Sequence, residues 1–107
     1  MREKEIEEKF RDAVKKAGGK AYKFVSPGNG GVPDRLAILP GGRIGFVELK
    51  APGRKPTALQ RVRIRELEDL GCQVMVLDDI GKIPETVEAI RRGLKTERAG
   101  LGKGGQT

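Results

Sequence analysis

Two short apolar runs, Arg35 to Leu39 (RLAIL) and Arg43 to Leu49 (RIGFVEL), are joined by Pro40, Gly41 and Gly42. Strand-like runs meeting across a proline–glycine turn form a hairpin signal, and what flanks this one constrains the chain more than anything else in it. Asp34 immediately precedes the first run, Glu48, Leu49 and Lys50 close the second, and thirteen residues separate the two acids. Side chains alternate faces along a strand, so Glu48 and Lys50 project to one side while Val47 and Leu49 project to the other. If Asp34 lies beside Glu48, two carboxylates converge on a point that an ammonium also reaches. Such a cluster suits a hard divalent cation. Magnesium takes oxygen ligands, commonly one or two carboxylates with water and phosphate, and the Leu49 carbonyl is a further candidate ligand. Lys50 is then placed to orient or help deprotonate a water. The plain alternative is a set of solvated charges on an exposed strand, but Glu, Asp and Lys are depleted in strands, and here two of them end an otherwise apolar run.

The partner is suggested by charge. The 107 residues make one small domain, 36% apolar and 4% aromatic, with 35% charged residues and a net charge of +7. A thin core and a surface crowded with Lys and Arg follow, and a basic surface favours a polyanion such as nucleic acid. The four aromatic residues, Phe10, Tyr22, Phe24 and Phe46, all fit core positions, so recognition is expected through shape and backbone rather than base stacking. With one cysteine, Cys72, and no histidine, an intramolecular disulfide, a Cys/His zinc site and histidine acid–base chemistry are excluded. Cys72 is expected as a small buried hydrophobe. No apolar run approaches the ~20 residues of a membrane span, the N-terminus reads as a charged helix rather than a signal peptide, and a cytoplasmic protein is expected.

Around the hairpin the remaining elements are legible. Residues 2–17 carry Ile6, Phe10, Ala13, Val14 and Ala17 at helical spacing and are stopped by Gly18 and Gly19, which predicts an amphipathic helix. On its wheel Glu7 lies on the flank of the apolar stripe, with Glu3 one turn earlier as the second choice of inward-looking acid; Glu5 and Glu8 point to solvent. Residues 20–25 read as a strand. The loop SPGNGGV, Ser26 to Val32, leads straight into Pro33 and Asp34, and its glycines allow backbone N–H groups to approach a phosphate. It lacks the Lys and Ser/Thr of a P-loop. Beyond the hairpin, APGRKP (Ala51 to Pro56) is a basic loop and Thr57 an N-cap for a helix over 58–70, ended by Gly71. Its inner stripe is read as Leu59, Val62 or Arg63, Glu66, Leu67 and Leu70. Gln60 falls in its first turn, close to Lys50, where it could bond phosphate or a metal-bound water. Arg54, Lys55, Arg61, Arg63 and Arg65 make this the densest basic region. Residues 72–77 read as a buried strand, parallel to the second hairpin strand by the right-handed crossover rule. Pro84, Val87, Ile90 and Leu94 give a last helix, and residues 95–107 a disordered, basic, glycine-rich tail.

Taken in order, Glu7, SPGNGG, Pro33–Asp34, Glu48–Leu49–Lys50 and Gln60 resemble the PD-(D/E)xK nuclease superfamily, and within it the VRR-Nuc (virus-type replication-repair nuclease) domain in its small stand-alone phage and prophage form. GVPDR and FVELK are intact, and the similarity runs over residues 3–77. The resemblance implies an α/β fold: a restriction-endonuclease-like αβββαβ core, a mixed central sheet flanked by helices, and a C-terminal helix, over residues 1–94. It implies Asp34 and Glu48, with Leu49, as metal ligands, Lys50 as the water-activating lysine, Glu7 as the helix acid and Gln60 as the glutamine after the catalytic strand. Lys23, Ser26, Arg35, Arg54 and Lys55 are the residues expected to grip DNA. It further implies a Mg2+- or Mn2+-dependent DNA endonuclease, a homodimer with two sites acting on Holliday junctions or other branched DNA, in the cytoplasm of a phage-infected or bacterial host cell.

Two other classes are compatible with the composition. One is a non-catalytic basic nucleic-acid-binding module whose acids are structural, which would have no cause to bind magnesium or manganese. The other is a subunit that meets a protein partner through the charged first helix, which the absence of a large exposed apolar stripe disfavours.

Overall fold

The computed structural model describes residues 1–93, so Leu94 and the expected tail lie outside the described residues. The elements run α1 (Glu3–Lys16), β1 (Lys20–Lys23), β2 (Arg35–Leu39), β3 (Arg43–Leu49), α2 (Ala58–Asp69), β4 (Val74–Leu77), a short 3-10 turn (Ile80–Lys82) and α3 (Ile83–Arg92). This is the αβββαβ order with a last helix. The hairpin strands begin and end where the apolar runs do. α1 ends at the glycine pair, with Gly18 taking a φ of 90° that an L side chain resists.

The four strands lie in the order β1-β2-β3-β4. β1/β2 and β2/β3 are antiparallel, while β3 and β4, linked through α2, are parallel. Alternation sorts the sheet into two unlike faces. On one, Ala37, Leu39, Val47, Leu49 and Leu77 meet Ile6, Phe10 and Val14 of α1 and Ile83 and Ile90 of α3 in a single core. Gly45 belongs to this face because α3 comes so close that a Cβ there would stand 2.7 Å from Ile90 Cγ1. On the other face lie Tyr22, Leu36, Phe46 and Val74 in one register row and Ile38 and Ile44 in the next. Val74 is buried there outside the main core, and α2 is the helix that touches β4 from that side.

Three expectations about burial change. No residue of α2 is buried, and Leu59, Val62 and the C-cap residue Leu70 are exposed, at 49%, 50% and 81%. The stripe turned inward is Gln60, Arg63, Ile64, Leu67 and Glu68. α2 rests on the sheet lightly, so the packing that would rotate its most apolar edge inward is absent. Tyr22 is exposed, with the Lys20 ammonium 4.9 Å from its ring centre. Phe24 and Phe46 form an edge-to-face pair, centroids 5.2 Å apart, on the open face rather than in the core. Cys72 is a half-buried free thiol preceding β4.

Candidate active site

Register brings the hairpin acids together. Arg35 pairs with Val47, so one further step along this antiparallel ladder sets Asp34 across from Glu48 on the same face. β2 stops at that point, and the next ladder position belongs to Pro33, whose ring leaves no N–H to donate. Pro33 therefore sends no backbone donor to the Leu49 carbonyl, and the Asp34 carboxylate serves the Leu49 N–H instead: its Oδ2 accepts that N–H at 2.8 Å. In a strand the N–H and C=O of one residue face the same neighbour, so the Leu49 carbonyl opens toward Asp34 as well. Asp34 is also held from behind, since its own carbonyl accepts the Phe24 N–H at 2.8 Å.

Glu48 is a buried acid, 1% exposed, on an otherwise apolar strand. The Lys50 ammonium stands 3.7 Å from its Oε2, a contact longer than a charge-assisted hydrogen bond, and Oε1 is buried with no hydrogen-bond partner. Burial, and next the neighbouring Asp34 charge, push the Glu48 carboxyl up to about 7, against the opposing pull of Lys50. A carboxylate with a buried, unpartnered oxygen and a second carboxylate beside it costs free energy as it stands. A divalent cation between the two would relieve both terms, so the donor set fits a hard metal ion. Among the described residues no three acidic, cysteine or histidine side chains are grouped as a complete cage, so carbonyl and solvent or phosphate oxygens would have to complete such a shell.

The first helix approaches the same corner through a different glutamate than the wheel favours. Glu7 is engaged by Arg35, whose Nε donates to Glu7 Oε2 at 2.9 Å and whose Nη2 makes a still closer ion pair with the same oxygen. Glu3, one turn nearer the N-terminus and still open to solvent, is raised above the ordinary carboxylate range, first by partial desolvation and then by the Asp34 charge. Lys50 and Glu7 act on it more weakly. Glu48 in turn feels Glu3. Glu3 is thus the helix acid whose field joins the hairpin cluster.

Gln60 is committed locally. Its Oε1 accepts the Thr57 N–H at 2.8 Å and its N–H donates to Thr57 Oγ1 at 3.1 Å, a reciprocal helix-start pair that the spacing Thr57-x-x-Gln60 signals in sequence. Among the expected DNA-gripping residues, Lys23, Arg54 and Lys55 are exposed and Ser26 is half-buried. Ser26 is occupied by a turn, with Asn29 donating to its Oγ and its carbonyl. Arg35 faces Glu7 and the Ala21 carbonyl. Arg63, one of the cations of the basic region, has a structural task that its charge alone does not signal: it ties the glycine loop to α2 by donating a 2.8 Å bond to the Gly30 carbonyl. Beside it Gly31, at φ 86°, lies so close to the helix that a Cβ would sit 2.9 Å from Leu59 Cγ.

An αβββαβ fold carrying an acid at the start of one strand and acid-x-Lys at the end of the next defines a restriction-endonuclease-like nuclease domain. No family model matches the chain. It is 58% identical over 78 residues to a protein named "Putative nuclease p44" from Acyrthosiphon pisum secondary endosymbiont phage 1, a match covering 73% of this chain and 84% of that protein. A solved structure titled "VRR_NUC domain" superposes with a TM-score of 0.75 at 29% identity, covering 80% of this chain and 94% of the other. The chain belongs to the VRR-Nuc domain family, in its small phage form.

Proposed function

We propose that this protein is a divalent-metal-dependent endonuclease that hydrolyses phosphodiester bonds in DNA. The observation that carries the reading is the buried, partnerless Oε1 of Glu48 set across the ladder from Asp34. Asp34, Glu48 and the Leu49 carbonyl would hold Mg2+ or Mn2+, with Glu3 at the margin of the site. The ion, when bound, supplies Lewis acidity toward the scissile phosphate and lowers the pKa of water. Lys50, directly after β3 and beside Glu48, orients the attacking water and offsets developing negative charge. The exposed Arg54 and Lys55, together with Lys23, meet the sugar–phosphate backbone.

Branched DNA, four-way junctions in particular, is the substrate class we favour, cut by a homodimer with one site per strand. Its support is the family membership together with the apolar groups left open on the second sheet face, on α2 and at its C-cap, Tyr22, Ile44, Val62 and Leu70. The test is cleavage of linear, flapped and four-way DNA with manganese and with chelator. The expected result is manganese-dependent cutting that Asp34→Ala, Glu48→Ala and Lys50→Ala each reduce by about a thousandfold or more, a loss on the scale of removed transition-state stabilisation, while junction binding persists. Undiminished cutting by Asp34→Ala would rule the site out. Junction binding with no cutting under any metal would favour the non-catalytic basic module instead.

A further inference from the structure

We infer that the Glu7–Arg35 ion pair is a positioning device that fixes where α1 sits along β2 and thereby sets Glu3 against the Asp34–Glu48 cluster. The inference rests on the proposed metal site and adds two residues that act on it without belonging to it.

The geometry leaves little freedom. Glu3 and Glu7 are four residues apart in α1 and so stack on one helix face, about 6 Å apart. Asp34 and Arg35 are consecutive at the start of β2, and their side chains leave the strand on opposite sides. Pinning Glu7 to Arg35 therefore leaves Glu3, one helical turn toward the N-terminus, at the end of the strands where Asp34 and Glu48 meet. Both partners are half-buried, with side-chain exposures of 12% for Arg35 and 27% for Glu7. Arg35 is further tethered by its 3.5 Å contact to the Ala21 carbonyl on β1. A planar guanidinium held by two N–H groups on one carboxylate oxygen fixes direction as well as distance. The rest of the α1 contact is Ile6, Phe10 and Val14 in the core, non-directional contacts to which the ion pair adds a directional tie at the end of the helix nearest the acids. Three further cations near the N-terminal half of α1, Arg2, Lys4 and Lys9, lie on exposed positions and do not substitute for Arg35.

The pair also explains why the neighbour of Asp34 can be an arginine at all. An unpaired guanidinium one residue away would compete with a metal ion for the acids; Glu7 keeps that charge engaged on the far side of the strand.

The experiment measures Mn2+ binding to the metal-free protein by calorimetry, with far-UV circular dichroism to show that each variant is folded. Glu7→Gln and Arg35→Gln are each expected to weaken Mn2+ binding by about tenfold, the scale of lost supporting contacts around a metal ligand. The charge-reversed double variant Glu7→Arg/Arg35→Glu is expected to recover most of that loss, because it restores the tie with no carboxylate at position 7. Unchanged affinity in Glu7→Gln would overturn the inference. So would a folded double variant that binds as poorly as the singles, since Glu7 would then be acting on the ion directly. Asp34→Asn is the control: full Mn2+ affinity in that variant would remove the metal site itself, a failure distinguishable from failure of the positioning role.

Discussion

The two faces of the sheet are built to different ends from the same four strands. The face under α1 and α3 is closed: Ile6, Phe10, Val14, Ala37, Val47, Leu77 and Ile90 are fully buried. The opposite face carries Asp34 and Glu48 at one end, a half-buried Phe24–Phe46 pair beside them, and a helix none of whose residues is buried. Folding free energy is concentrated on the first face and chemistry on the second. That division lets a small domain keep an uncompensated acid. Burial on one side holds the strands in register, and register holds Glu48 next to Asp34 even though their charges repel.

The comparison can be broken most forcefully at its stable side. Phe10→Ala, at 0% exposure, is expected to cost about 3–5 kcal/mol by chemical denaturation, the range for removing a buried aromatic side chain. Leu70→Ala, 81% exposed at the C-cap of α2, is expected to fall within about 0.5 kcal/mol of the parent, as surface changes do. A comparable loss at both positions would show that the second face is packed more tightly than described.

The active face has its own signature in pH. The Glu48 carboxyl lies at about 7 in the folded chain, above the ordinary glutamate value of 4.5, so the native state binds this proton more tightly than the unfolded state. The associated stability is fully present below pH 4.5 and is lost as pH rises toward 7, by about 3 kcal/mol at most. Metal-free protein should therefore show an unfolding midpoint that falls between pH 5 and 7. Glu48→Gln should flatten that fall and be the more stable protein above pH 7. A parent midpoint that instead rises over this range would contradict the assignment of the burden to Glu48.

A smaller effect is expected where the glycine loop packs on α2. Gly31→Ala places a Cβ at positive φ and against Leu59, which should cost about 1–2 kcal/mol, and should slow cleavage further because the loop it belongs to runs directly into Pro33 and Asp34. Thermal melts and initial rates on the same preparation would separate the two consequences.

Much of this arrangement is written plainly in the chain. The hairpin is legible because Pro40, Gly41 and Gly42 form a turn between two apolar runs, and because Asp34 precedes the first run while Glu48 and Lys50 close the second, charges that strands ordinarily avoid. The parallel β4 follows from crossover handedness. What was not legible depends on contacts that periodicity does not carry. The wheel of α1 ranks Glu7 above Glu3 because it measures angle to the apolar stripe; it has no means of knowing that Arg35 reaches across and occupies Glu7. Helical spacing sets the inner edge of α2 on Leu59, Val62 or Arg63, Glu66, Leu67 and Leu70, of which Arg63 and Leu67 do turn inward, but a helix resting lightly on the sheet is set by its ends. Thr57 and Gln60 fix one end, and Arg63 and Gly31 dock it onto the glycine loop. The helix-start role of Gln60 did have a signal, the Thr-x-x-Gln spacing.

The most direct measurement is a calorimetric titration of Mn2+ into the metal-free protein at pH 6 and pH 8, beside the Asp34→Asn/Glu48→Gln double variant. Saturable binding by the parent is expected at both, with protons released at pH 6, where Glu48 must give one up, and few at pH 8; the double variant should bind nothing at that site. Equal, saturable binding by parent and double variant would contradict a metal ion held between these two acids.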